Sequence, residues 1–395
     1  MGQIERRRGA LKSTAGEGEG TDGETELAAL MFDIHTVRIP NNVTTDQGPR
    51  GHIPQGVVAL ATVMRLSTGR DLLALPKAHL HLHAEGGMRP STLSERAEHY
   101  GVALPAVGDY HSFTEFAALY LAACNVLRTH DDLRRLVRES VEDAATSGAV
   151  WLELGMRPTI HRGKFGGDAD VLETVLEEAR SAGRDLEVGV GILMTVDRTE
   201  ALAIAFEEAE LAAAYAGSGV VSFGLANDEV GHPPEDFAQP FQLARDAGLL
   251  SCPHAGELEG PASVWGALDA LGADRIQHGI RAIEDPALIT RLAADQICLD
   301  VCPTSNVCLR VVPSLEEHPL PALLAAGIRC SLNADDPLFF GASLLDEYQL
   351  CRDQLGLSDE QLAFIARCSI EASGAPPTLK LSAGADIDAW LAKAP

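Results

Sequence analysis

The segment AHLHLHA sets three histidines, His79, His81 and His83, at alternate positions. Successive side chains of a β-strand point to opposite faces, so the three share one face, and two imidazoles at i and i+2 can grip a single metal ion. An H-x-H pair alone is a weak signal, because histidines satisfied by hydrogen bonds are common. Its weight comes from where the other metal-capable residues fall. His254 in PHAGE and His278 in QHG end apolar runs of strand length, and Asp335 and Asp336 in LNADDP follow another. Imidazole and carboxylate donors without thiolate suit zinc, with iron, cobalt or manganese as weaker fits.

From Leu72 onward, short apolar runs alternate with longer segments of helical spacing. The candidate strands span 78–84, 149–156, 187–196, 220–226, 249–255, 274–280, 296–302 and 328–334. Between them lie amphipathic segments, several closed by a glycine that tolerates the left-handed conformation ending a helix. Eight such alternations are what a closed (β/α)8 barrel requires. The expected fold is therefore α/β, a single TIM-type barrel over 71–395 with extra helices. An open doubly wound sheet is the alternative, but no G-x-G-x-x-G follows an early strand. In a barrel the active site forms at the carboxyl ends of the strands, so the histidines and aspartates above would converge. Phe113, Phe116, Leu119 and Tyr120 have helical spacing and read as a helix packed on the core, or as a lid over the pocket. Beyond the last strand, SLLDEYQLCRDQLG, a segment with Ser358 and Gln361 in capping-box spacing, and IDAWLAK read as closing helices.

Residues 1–70 differ in composition. RRR at 6–8, then GEGEGTDGE, then an Asn/Thr/Gly/Pro-rich run cannot bury a continuous core, so this stretch reads as a disordered N-terminal extension, with Met31 and Met64 as alternative starts. The whole chain has 395 residues, 46% of them hydrophobic, enough for a sizeable core. Its net charge of -26 repels phosphate backbones and anionic lipid, which argues against nucleic acid or a membrane surface as partner and for a small neutral or cationic substrate. The eight cysteines form no C-x-x-C pair and fall mostly in apolar runs, as reduced thiols do. With no apolar stretch of membrane-span length and no signal-peptide core, a cytoplasmic location is expected.

The segments PKAHLHLHAEGGMRP, HAGE, RIQHG, CPTSN and SLNADDP occur in this order, with spacing that resembles the adenosine deaminase family of metal-dependent purine aminohydrolases. The resemblance runs from about Leu75 to Ser373. The H-x-E and P-C-x-x-C signatures of the cytidine-type zinc deaminases are missing. The resemblance implies one zinc ion on His81, His83, His254 and Asp335, with a coordination position left for an activated water. It implies that Glu257 hands a proton to purine N1 and that His278 takes or orients a proton beside the water. It also implies that His83, Glu85, Asn227 and Asp336 face the substrate, Asp336 at purine N7. His79, one step lower on the strand, reads as a supporting or core residue.

Three departures bear on the substrate. Glu85 stands where many adenosine deaminases have aspartate facing the sugar, and glutamate there also resembles the branch acting on free adenine. Asn227, in LANDE, replaces a glycine whose backbone N–H would meet purine N3. Arg157 lies near a strand end, where it either holds an anionic substituent or, as the favoured reading, forms a structural ion pair. The expected reaction is deamination of adenosine or 2'-deoxyadenosine, with adenine and aminodeoxyfutalosine as the alternatives. A barrel metallohydrolase with two metals on a modified lysine is disfavoured because VVSFGLA ends without lysine. A non-catalytic purine-binding homologue is disfavoured by the retained Glu257.

Overall fold

The computed structural model describes residues 69–104 and 113–394. The N-terminal extension up to residue 68 lies outside the described residues. Gly69 and Arg70 fall inside, with Arg70 paired to Asp359 at 3.0 Å.

Strands β1 (Lys77–His83), β2 (Ala149–Met156), β3 (Gly189–Asp197), β4 (Val220–Ala226) and β5 (Leu250–Ser251) form one parallel sheet in that order. Strands β6 (His254–Ala255), β7 (Arg275–His278), β8 (Cys298–Val301) and β9 (Arg329–Leu332) form a second. The barrel closes where Leu82 bridges Asp335, with His83 N–H donating to Asp335 O and Asp335 N–H to His81 O, each at 3.1 Å. This is the expected (β/α)8 barrel with one correction. The fifth strand, read as continuous over 249–255, is broken into β5 and β6. Pro253 has no N–H to give to a ladder, so pairing stops after Cys252 N–H reaches Phe223 O at 2.8 Å.

The helices that alternate with these strands are capped as their sequences dictate. Helix α1 (Pro90–Tyr100) opens on proline and ends at Gly101 with φ 63°. Helix α2 (Phe113–Cys124) is followed by α3 (His130–Thr146), which starts in a Thr129–Asp132 capping box. Then come α4 (Asp168–Leu186), α5 (Leu202–Ala214), α6 (Ala238–Asp246), α7 (Pro261–Asp269), α8 (Pro286–Asp295), α9 (Pro303–Cys308) and α10 (Leu320–Ala325). After β9 follow α11 (Pro337–Phe340), α12 (Leu344–Asp353), α13 (Asp359–Ala372) and α14 (Pro377–Ala392). The Ser358–Gln361 box caps α13 as expected. Helix α14 is much longer than IDAWLAK, because Pro377 starts it ten residues earlier. The eight cysteines are free thiols, all but Cys308 buried. Among the described residues no helix is long and apolar enough to cross a membrane.

Candidate active site

The carboxyl ends of the strands surround a cavity of about 330 Å³. His83, Glu85, Asn227, His254, Glu257, His278, Asp335 and Asp336 all line it, while His81 sits fully buried beneath. One donor atom from each of His81, His83, His254 and Asp335 lies within 4.8 Å of the others. His81 Nε2 and His83 Nε2 are 3.3 Å apart, and Asp335 Oδ1 is 3.2 and 3.4 Å from them. Three imidazoles and a carboxylate gathered this closely, without a thiolate among them, are a donor set that suits a zinc ion.

The residues around this cluster fix how it faces the cavity. Ser305 Oγ donates to Asp335 Oδ2 at 2.7 Å, and Cys302 Sγ lies 3.5 Å from His81 Nδ1. His79 is buried, and its Nε2 accepts the Ala334 N–H at 3.2 Å. Burial, and after it His81, brings the His79 imidazole down to about 3, so it stays neutral. A directional chain reaches His278. Leu320 N–H donates to His318 Nδ1, His318 Nε2 to Asn306 Oδ1, and Asn306 Nδ2 to His278 Nδ1, at 3.1, 3.2 and 3.2 Å. That polarity leaves the His278 proton on Nε2, which faces Glu257 Oε1 at 3.4 Å and Asp335 Oδ2 at 3.8 Å. Burial, with His81 next, lowers His278 to about 3.

Glu257 is 4% exposed, and its Oε1 has no hydrogen-bond partner among the described residues. Burial, then the charge of Asp335 and the nearby acids Glu229 and Asp336, push its carboxyl well above the usual range, which favours the protonated form. Asp336 is raised in the same way, by burial and then Asp335. Its Oδ1 occupies the space over Gly86, where a Cβ would stand 1.7 Å away. Burial alone would lower His83, but Asp336, Asp335 and Glu85 outweigh it and raise the imidazole to about 9.

The opposite wall is built by residues with little signature in the sequence. Glu85 accepts from Tyr120 OH at 2.6 Å and pairs with His161 Nε2 at 2.7 Å. Against the opposing cost of burial, His161 and Tyr120 bring Glu85 down to about 2. Helix α2 thus packs on the core and also forms part of the cavity wall. Phe116 stacks on Phe340 at 5.4 Å, while Phe113, Tyr120 and Leu121 line the cavity. Arg157 takes the ion-pair role, 2.6 Å from Asp197 and 3.4 Å from Glu200. Asn227 has φ 79°, which explains the glycine common at its position, and its Nδ2 donates to Asp197 Oδ2 at 2.8 Å. The extra side chain is therefore held in the wall. No sequence reading singled out Tyr120 as the partner of Glu85, or His161, Asn306 and His318 at all. For Asn306 the CPTSN motif was the available signal.

A parallel barrel with this imidazole–carboxylate cluster and a neutral acid beside it defines a metal-dependent hydrolase of the amidohydrolase type. The adenosine deaminase profile matches residues 76–390. A putative adenosine/adenine deaminase of Streptomyces coelicolor is 44% identical over 82% of this chain and 98% of its own length. The aminodeoxyfutalosine deaminase of Streptomyces avermitilis is 38% identical over 82% and 96%. Among solved structures, adenine deaminase from Arthrobacter aurescens aligns with a TM-score of 0.76 at 33% identity, over 80% of this chain and 99% of that one. An amidohydrolase from Burkholderia ambifaria with bound Zn aligns with a TM-score of 0.72 at 25% identity, over 81% and 92%. The chain belongs to the adenosine deaminase family, and it is a hydrolase acting on the exocyclic C–N bond of a purine.

Proposed function

We propose that the chain holds one zinc ion on His81, His83, His254 and Asp335 and hydrolyses the 6-amino group of a purine, with free adenine as its preferred substrate. The observation that carries the reaction is the buried Glu257 carboxyl beside the four-donor cluster at the cavity. When bound, the metal supplies Lewis acidity that brings a water's pKa towards neutrality. Glu257 gives its proton to N1, which draws electrons from C6. The neutral carboxyl of Asp336 donates to N7 and fixes the ring. His278 presents its Nε2–H to the attacking oxygen and orients it. Water adds at C6 and the exocyclic C6–N bond breaks. Of the two water protons, one leaves with the amino group as ammonia and the other restores the Glu257 carboxyl. C6 ends as a carbonyl and N1 keeps the donated proton.

Adenine takes the place of the expected adenosine because of Glu85. At the position that faces a sugar in the family, both of its oxygens already engage protein partners from α2 and from the segment after β2. The adenine-specific name of the Arthrobacter relative supports the same reading. A second reading, a nucleoside carrying an extended 5' substituent, is favoured by the cavity's apolar continuation along Phe113, Phe116, Leu121 and Ile160. Ammonia release from adenine, adenosine, 2'-deoxyadenosine and aminodeoxyfutalosine, with zinc counted per chain, tests both. Adenine should have the highest kcat/KM. A preference for adenosine overturns the substrate assignment, and inactivity of the zinc-loaded protein on every 6-aminopurine overturns the whole reading.

A further inference from the structure

The LANDE segment ends in Glu229, and Arg198 follows directly after β3. Neither lines the cavity, and both are sealed, at 3% and 1% exposed. Arg198 Nη2 donates to the backbone carbonyl of His254 at 3.3 Å, and its Nη1 lies 3.7 Å from Glu229 Oε1. Glu229 in turn accepts the backbone N–H of Glu257 at 3.3 Å and of Glu259 at 2.8 Å. One buried ion pair therefore grips both ends of the turn that runs from His254 to Glu259. That turn passes through Gly256 at φ 69°, where a Cβ would stand 2.5 Å from Val264. Packing leaves it no side chain there to anchor it.

A pair placed for stability alone would be a poor choice at this spot. Taking two charges out of water costs several kcal/mol per ion unless hydrogen bonds compensate well. Arg198 leaves Nε and Nη1 without a hydrogen-bond partner among the described residues. What the pair does achieve is geometric. It ties the carbonyl of a cluster histidine and the amide of the acid to one rigid unit, so their separation cannot drift.

We infer that Arg198 and Glu229 are positioning residues that set the reach of the Glu257 carboxyl towards the purine ring. The inference rests on the role proposed above for Glu257. A displacement of about 1 Å at a reacting group can cost on the order of a hundredfold in rate. Glu229→Ala should thus lower kcat about 100-fold per zinc-loaded chain while KM moves by less than about threefold, the pattern of an interaction lost in the transition state alone. Zinc content should hold at the wild-type value, because the four donors are untouched. Glu229→Gln keeps an oxygen for the two amides and should recover a good part of kcat. It also carries the test alone if the alanine variant does not fold. Unchanged kcat per zinc-loaded chain, or a glutamine variant no better than alanine, overturns the inference. So does a loss of activity that only tracks the loss of folded protein. Wild type assayed alongside separates the two levels: an inactive wild type removes the proposed reaction and this inference with it, whereas an active wild type with unaffected variants removes the inference alone.

Discussion

Glu257 shares its buried surroundings with three other acidic side chains, Asp335, Asp336 and Glu229. A carboxyl in that setting holds its proton, which is the state a donor to a ring nitrogen needs. Glu257→Gln should leave zinc stoichiometry intact while turnover falls by about 10²- to 10⁴-fold, the usual contribution of a positioned acid. Metal analysis beside a steady-state assay checks both halves, and loss of zinc would mean that Glu257 is misassigned. A second buried acid, Glu208 on α5, sits behind the cavity wall and accepts from Thr159 Oγ1. Burial raises it to about 8, against the smaller lowering effects of Thr159 and Arg157. Its folded-state pKa lies above the unfolded one, so folding favours the protonated form. The stability it contributes is complete below the ordinary carboxyl range and is lost as pH rises through about 8. Glu208→Gln should therefore lose less Tm than wild type between pH 6 and 9 in parallel melts, and identical pH slopes would refute the assignment.

At the scale of elements, the site is made by the turns that leave the strands. Asn227, His278 and Asp335 stand just past or at the ends of β4, β7 and β9 with φ of 79°, 60° and 60°. Left-handed backbone outside glycine costs about 1–2 kcal/mol per residue, least for Asn and Asp, and the barrel's closure overrides it. The turn after β1 solves its problem differently. Gly86 leaves room for Asp336 Oδ1, and its carbonyl accepts the Leu338 N–H at 2.8 Å, so the first and last strand ends meet with no side chain between them. Gly86→Ala should push Asp336 off the ring position and lower kcat/KM at least about tenfold, with about 1–3 kcal/mol of destabilisation from overpacking. Kinetics together with denaturant unfolding measure both, and an unaffected kcat/KM would detach Asp336 from substrate recognition.

Across the whole molecule, a buried ionic layer spans the barrel interior. Arg275 donates to Asp300 Oδ2 and Glu153 Oε2, each at 2.6 Å, and all three side chains are sealed from solvent. The two carboxylates also accept from Ser331, Ser222, Trp151 and the Gly374 N–H, Ser222 sharing Glu153 Oε2 with Arg275. Removing one member strands the others, so Arg275→Met should destabilise the fold by about 3–5 kcal/mol in denaturant unfolding. A change below about 1 kcal/mol would show that the layer relaxes without its cation.

Strand alternation and the placing of His81, His83, His254, His278, Asp335 and Asp336 at strand ends were legible in the sequence, because both follow from local backbone geometry. The period of two and the run lengths operate over a few residues, and the resemblance of the motifs to one family supplied the roles. The break at Pro253, the start of α14 at Pro377, and the link from Tyr120 through Glu85 to His161 were not legible as such. Nor was the Arg198–Glu229 grip on the turn before Glu257, although LANDE stood in plain view. Each of the two side-chain networks joins residues brought within hydrogen-bond reach only when strands far apart in the chain close into a barrel. Residue type and spacing thus determined the fold class and which histidines and aspartates gather at the strand ends, while the resemblance to one family supplied the reaction. Which partner saturates Glu85, which tautomer His278 carries, and hence how the wall beyond the purine is built, depended on distances that exist only once the barrel has closed.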